Sequence, residues 1–171
     1  MRFLFVSLIG LVLSCGQAPS SQLGAHPSAG SFPTKPSPEI TQGSLCQVAD
    51  EYRYAEHIVY CERNVSPETK QGIIAEYDRR FGYSVGSMNR MDFKIDHYLP
   101  LFMGGSNSRD NLWPQHKSIY GITDPIESKL STLMVRGSVK QAHAIELIKK
   151  VKCNLKSASA INDELDKLLH E

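Results

Sequence analysis

The chain has 171 residues, with 19 Lys and Arg against 18 Asp and Glu, a formal net charge of +1, and 41% apolar residues. Near-neutrality withholds the positive excess common in nucleic-acid binders, so overall charge argues only weakly for such a partner. The length allows one small domain and one modest core.

Met1 and Arg2 form a short positive region, and residues 3–13 an apolar run too short to span a bilayer. Ser14 then precedes Cys15. This is the pattern of an export signal over residues 1–14. Val12-Leu13-Ser14-Cys15 looks like the lipobox at which bacterial lipoproteins are cleaved and acylated, which would anchor the protein through Cys15. Gly16-Gln17 carries no Asp after that cysteine and mildly favours the outer membrane. An exported periplasmic or extracellular protein is the other reading. Residues 16–43 are dominated by Pro, Ser and Gly and read as a flexible tether, so that residues 15–43 form a lipidated linker and residues 44–171 the folded domain. With Cys15 assigned to lipid, Cys46, Cys61 and Cys153 permit one disulfide and one leftover thiol. Cys46 with Cys61 is the preferred pair, because it closes a short loop. Three buried apolar cysteines are the alternative.

Ser66-Pro67-Glu68 is a helix start: a capping hydroxyl, Pro at the first helical position and an early acid. Ile73, Ile74, Tyr77 and Phe81 then share one face, and Gly82 is a natural stop. Residues 83–91 read as a loop, and Phe93 to His97 as a strand whose alternation puts Asp96 and His97 on opposite sides. Gly104-Gly105-Ser106-Asn107 is a turn by composition. Asp124-Pro125 reads as the opening of a second helix, with Ile126, Leu130, Leu133 and Met134 inward and Gly137 closing it. A third helix runs from a Ser138 cap to Lys152, and a fourth from about Ser159 to Leu169. No internal repeat is present.

The most informative stretch is Ile95-Asp96-His97, with Pro100-Leu101, Gly104 to Asn107 and Asn111-Leu112-Trp113-Pro114. A carboxylate suits Mg²⁺, a neighbouring imidazole can take a proton from water near neutral pH, and an amide oxygen can serve as a neutral ligand or orient the imidazole. In this order the residues resemble the HNH endonucleases, with weaker likeness from about residue 63 to about residue 150. The resemblance implies an α+β fold: a ββα-metal core with a short β-hairpin and additional flanking helices. It implies that Asp96 ligates the metal, His97 is the general base and Asn111 completes the ligands or positions the imidazole. A His on the following helix, common in the family, is missing here. His116 from the connecting loop or Glu127 from the helix could substitute. Such a site favours Mg²⁺ or Mn²⁺ over Zn²⁺.

Residues 62–155 hold 14 Lys and Arg against 10 Asp and Glu, a local +4. Arg90, Lys94, Arg109 and Lys117 cluster in sequence about the motif as candidate phosphate contacts. No base-reading element is visible, which predicts backbone contacts and little sequence preference. Trp113 reads as core, and His57, His143 and His170 as structural or solvated. The expected function is an exported, membrane-tethered, metal-dependent endonuclease acting on DNA, with RNA as a further candidate substrate. The alternative is a non-catalytic DNA-binding envelope lipoprotein with a degenerate HNH fold.

Overall fold

A computed structural model describes residues 31–171. The expected signal at 1–14, Cys15 with its lipid and the first part of the tether lie outside the described residues. What is described belongs to the α+β class, with four helices and two small antiparallel sheets.

The first sheet is a hairpin of β1 (Glu51–Arg53) and β2 (Ile58–Tyr60). Helix α1 (Pro67–Phe81) follows, and its ends are set locally. The Ser66 hydroxyl accepts from the Thr69 N–H at 3.1 Å, and Gly82 takes a left-handed φ of 70° that closes the last turn. Short 3-10 turns at Val85–Ser87 and Arg90–Asp92 fill the expected loop. Strand β3 (Phe93–His97) pairs with β4 (Leu112–His116) in a register that sets Phe93 opposite His116 and His97 opposite Leu112. Pro114 is tolerated in β4 because a two-stranded ribbon has only edge strands.

Helix α2 (Lys117–Arg136) leaves β4 without a linker, so its start lies seven residues before the expected Asp124-Pro125 opening. Pro125 sits inside the helix. It deprives the Gly121 carbonyl of its usual partner, a local loss that the burial of Ile119, Thr123, Ile126, Leu130, Leu133 and Met134 along one stripe outweighs. That stripe continues upstream of the proline at unbroken 4-3-4-3 spacing, the stronger signal. Helices α3 (Gln141–Cys153) and α4 (Ala158–His170) complete the fold, with α3 starting after Lys140 rather than after Ser138.

Two apolar clusters form the interior. One lies among α2, α3 and α4, around Leu130, Leu133, Ile148 and Leu165. The other packs α1 against the β3–β4 hairpin, around Tyr77, Ile95, Leu112 and Trp113. Trp113 is wholly buried there, as expected for a core residue.

Residues 31–43 correct the expected tether. Phe32 stacks on the His116 ring at 4.0 Å, and the Ser37 N–H and Thr41 hydroxyl both bond the buried Tyr77 hydroxyl, at 3.0 and 2.7 Å. The Thr41 hydroxyl also donates to the Leu112 carbonyl at 3.1 Å. Composition reads such a stretch as unable to bury apolar surface. What holds it is hydrogen bonding to residues some 36–71 positions away.

Candidate active site

Strand β3 ends at His97, and the chain turns away through Leu99 and Pro100. The turn leaves no room for a side chain at residue 105, where a Cβ would lie 1.8 Å from the Leu99 carbonyl oxygen. Glycine there lets the loop close tightly enough for Asn111 to clamp it. Asn111 is fully buried. Its Oδ1 accepts from the Leu99 N–H at 2.8 Å, while its Nδ2 donates to the carbonyls of Leu99 and Ser106 at 2.9 and 2.8 Å. Both donors and one lone pair of Oδ1 are therefore spent within the loop, and the side chain is wholly removed from solvent. Asn111 is a brace for the Asp96-His97 turn, in place of the expected metal ligand or catalytic amide.

His97 is buried, and its tautomer follows from its neighbours. The Asn107 Nδ2 donates to the Glu62 carbonyl at 2.6 Å, and its Oδ1 accepts from the Asn64 N–H at 3.2 Å. That fixes the amide orientation, so the Oδ1 atom 3.1 Å from His97 Nε2 must accept there too. Nε2 thus carries the hydrogen and Nδ1 the lone pair. Burial, with help from the Arg63 charge, pushes the imidazole pKa down to about 4, against the opposing effects of Asn107 and Asp96. The ring is neutral across the physiological range. Nδ1 faces Arg63 Nη2 at 3.4 Å, a long contact. The other bond from Arg63, to the Ile95 carbonyl, is also 3.4 Å, which leaves most of the guanidinium donors unspent.

Asp96 faces the opposite way, as strand alternation predicts. Its Oδ2 accepts from Lys152 Nζ at 2.7 Å, and its Oδ1 lies 3.3 Å from Lys94 Nζ. Lys152 is wholly buried, and Nζ also donates to the His97 carbonyl at 2.6 Å and contacts Glu127 Oε1 at 2.8 Å. Burial would strip the lysine of its proton, but Asp96 and Glu127 outweigh it and hold its pKa above the ordinary value. For Asp96, burial is overcome by Lys152 and Lys94, so its carboxyl stays below the usual range. Burial dominates at Glu127 and raises it.

A cleft of about 380 Å³ joins these groups; Arg53, Arg63, Asp96, His97, Phe102 and Glu127 line it. Arg53 is ion-paired with Glu51 and lies over the Tyr60 ring. Asp96 and Glu127 are the two groups able to hold a divalent cation here. Among the described residues no three His, Cys, Asp or Glu gather for that purpose. Two carboxylates with water and a substrate phosphate are nevertheless a donor set that suits Mg²⁺.

The other expected residues are elsewhere. His116 pairs with Phe93 at the far end of the hairpin, four residues and roughly 13 Å along β3 from His97. Its ring stacks on Phe32 and meets Phe93 edge-on, and its Nδ1 accepts from the Ser118 N–H to cap α2. It is a cap and not a ligand. Arg90 donates to the Phe93 carbonyl at 2.6 Å, Arg109 pairs with Glu76, and Lys117 pairs with Asp92. These three are engaged away from the cleft. Lys94 stands near it, held by Asp124 at 2.7 Å. Among the expected phosphate contacts it alone touches a site carboxylate.

Cys46 and Cys61 are joined, with Cα atoms 5.8 Å apart. The bridge supports the site directly. Cys46 N–H bonds the Gly104 carbonyl, and one residue beyond Cys61 lies the Glu62 carbonyl that holds Asn107. No leftover thiol exists among the described residues, which corrects the expected free cysteine.

Lys152, Arg63, Arg53 and Asn107 were not anticipated as site residues. Lys152 left one trace in the sequence: it falls four residues after Ile148, on the buried stripe of an otherwise amphipathic helix. No family model, curated protein or solved structure matches the chain.

Proposed function

We propose that the protein is a metal-dependent endonuclease of the HNH type, built on a ββα-metal core of β3, β4 and α2, that hydrolyses DNA with little sequence preference. One observation carries the reading: a neutral imidazole of fixed tautomer shares a cleft with two carboxylates and an arginine that is not ion-paired. His97 Nδ1 accepts a proton from the attacking water, which its depressed basicity permits but does not strongly drive. Asn107 holds the ring so that the lone pair faces the cleft. Arg63, with donors to spare, takes the non-bridging oxygens of the phosphate and draws away from Nδ1 as it does so. Asp96 and Glu127 would hold the Mg²⁺ or Mn²⁺, which would supply charge neutralisation at the phosphoryl group and support for the leaving oxygen. The Cys46–Cys61 bridge supports export to an oxidising compartment.

The full chain, purified with its disulfides intact, nicks supercoiled plasmid in Mg²⁺ or Mn²⁺ and stops on addition of EDTA. His97→Ala reduces the rate by about 10²–10⁴-fold while leaving the circular dichroism unchanged. Metal-dependent nicking that survives this substitution would overturn the mechanism.

A second reading is a DNA-binding module with a degenerate site. It is favoured by the position of Lys152, whose ammonium stands between the two carboxylates. It predicts plasmid retardation without cleavage in every divalent metal.

A further inference from the structure

Lys152 is unusual in what surrounds its charge. Nζ is enclosed by three oxygens: Asp96 Oδ2 at 2.7 Å, His97 O at 2.6 Å and Glu127 Oε1 at 2.8 Å. Two of these belong to carboxylates and one to the backbone, and the three come from two separate elements, β3 and α2. The lysine itself arrives from α3, with its side chain wholly removed from solvent. Nζ donates two hydrogen bonds, to Asp96 Oδ2 and the His97 carbonyl, and is ion-paired with Glu127 Oε1, which takes no hydrogen bond. Carboxylate and carbonyl oxygens converging at this range are also the surroundings that a hard divalent cation takes.

We propose that this oxygen cradle is a divalent-cation site whose resident cation is the Lys152 ammonium. Lys152 assembles the Asp96 and Glu127 pair without metal. It also sets how tightly the neighbouring cleft binds one. Two carboxylates carry two negative charges and the Lys152 ammonium cancels one of them, while Lys94, 3.3 Å from Asp96 Oδ1, is balanced by Asp124 at 2.7 Å. A mobile ion therefore meets a single residual charge at the cleft and binds weakly until a phosphate joins it. Glu127 Oε1 takes no hydrogen bond among the described residues and is compensated by the Lys152 charge, so removal of the ammonium leaves it bare beside Asp96. The inference rests on the proposed function only in taking those two carboxylates as the metal-holding groups.

The test uses Ca²⁺, which accepts mixed carboxylate and carbonyl ligands at 2.3–2.6 Å and allows binding to be read without turnover. Lys152→Met retains most of the stem and lacks the terminal atom. Calorimetry on the full chain is expected to show Ca²⁺ bound at least about tenfold more tightly in K152M than in the unsubstituted protein, since opposite charge at this range is worth at least one decade. The melting temperature of K152M is expected to fall in EDTA and to recover with Ca²⁺ far more than that of the unsubstituted protein. Adding Asp96→Asn to K152M abolishes the gain, whereas the exposed Lys150→Met leaves affinity and melting unchanged. A folded K152M with unaltered affinity and no ion-dependent recovery overturns the proposal. If K152M does not fold in EDTA, folding on addition of Ca²⁺ supports it. Failure of both K152M and Lys152→Gln to fold with the ion overturns it. Plasmid cleavage is scored separately. Metal-dependent nicking alongside an unaltered K152M affinity refutes the resident-cation proposal and leaves the nuclease reading standing. Tightened Ca²⁺ binding in a protein that never cuts does the reverse.

Discussion

The two sides of the β3 terminus make an instructive pair. Asp96 and His97 are consecutive and both buried, yet one faces a saturated charge cluster and the other a partly filled polar pocket. On the Asp96 side Lys152 donates to Asp96 and the His97 carbonyl and is ion-paired with Glu127, and Lys94 bridges outward to Asp124. On the His97 side one ring nitrogen is tied to Asn107, while the other faces only a long contact with an arginine that has donors to spare. A buried polar group whose partners are all inside the protein does structural work. One that keeps a lone pair or donor open toward a cleft can meet a substrate. The side by side arrangement follows from strand alternation, which sends adjacent side chains to different surroundings.

The comparison breaks most severely at Asp96. Asp96→Ala leaves Lys152 charged and buried against a single carboxylate, and denaturant unfolding in EDTA should show a loss of about 3–5 kcal/mol. A loss under about 1 kcal/mol would mean that the cluster is no structural keystone.

On the His97 side the expected effect is a pH slope. The imidazole has its folded pKa depressed to about 4, below an unfolded value near 6.5. Between these values the unfolded chain binds the proton and the folded chain does not. Stability therefore rises with pH in that window. The contribution is complete above about pH 6.5 and is lost as pH falls toward 4, a change of about 3 kcal/mol. Unfolding of the metal-free protein from pH 4 to 7 measures it, and His97→Gln should remove this part of the slope. Titration of His97 itself near 6.5 by NMR would refute the buried, neutral assignment.

Asn107→Ala sharpens the contrast at the smallest energetic scale. It removes the bond that orients His97 together with two solvent-exposed bonds to the Glu62 and Asn64 backbone, so the stability change should be about 1–2 kcal/mol. Turnover of plasmid, in contrast, should fall by about 10–100-fold as the imidazole loses its fixed direction. Equal losses in stability and rate would place Asn107 with the structural side.

Much of this architecture was legible in local signals. The Ser66 cap, Pro67 and the Gly82 stop bound α1, and alternation with a glycine turn marked β3 and the loop after it. Asp96 and His97 could be read as a site because residue type and order carried the resemblance. The misreadings share one origin. Asp124-Pro125 resembles a helix start at short range, but the buried stripe of α2 runs through it. The tether composition of residues 31–43 hid Phe32 and Thr41, whose partners lie far along the chain. Asn111 and His116 had the right chemistry for ligands, and their bonds are consumed by a loop and a helix cap.

The amino-acid sequence by itself determined both ends of α1 and the Gly137 stop of α2, the strand and its turn, and the adjacency of Asp96 and His97. These depend on caps, periodicity and backbone freedom within a few residues. Only the tertiary structure decided which charges compensate each other. Lys152 reaches Asp96 across 56 positions, and Asn107 is held by a carbonyl 45 positions away. Such pairings are selected by packing, since burial makes an unmatched charge or donor intolerable and leaves standing only the arrangement in which distant partners meet.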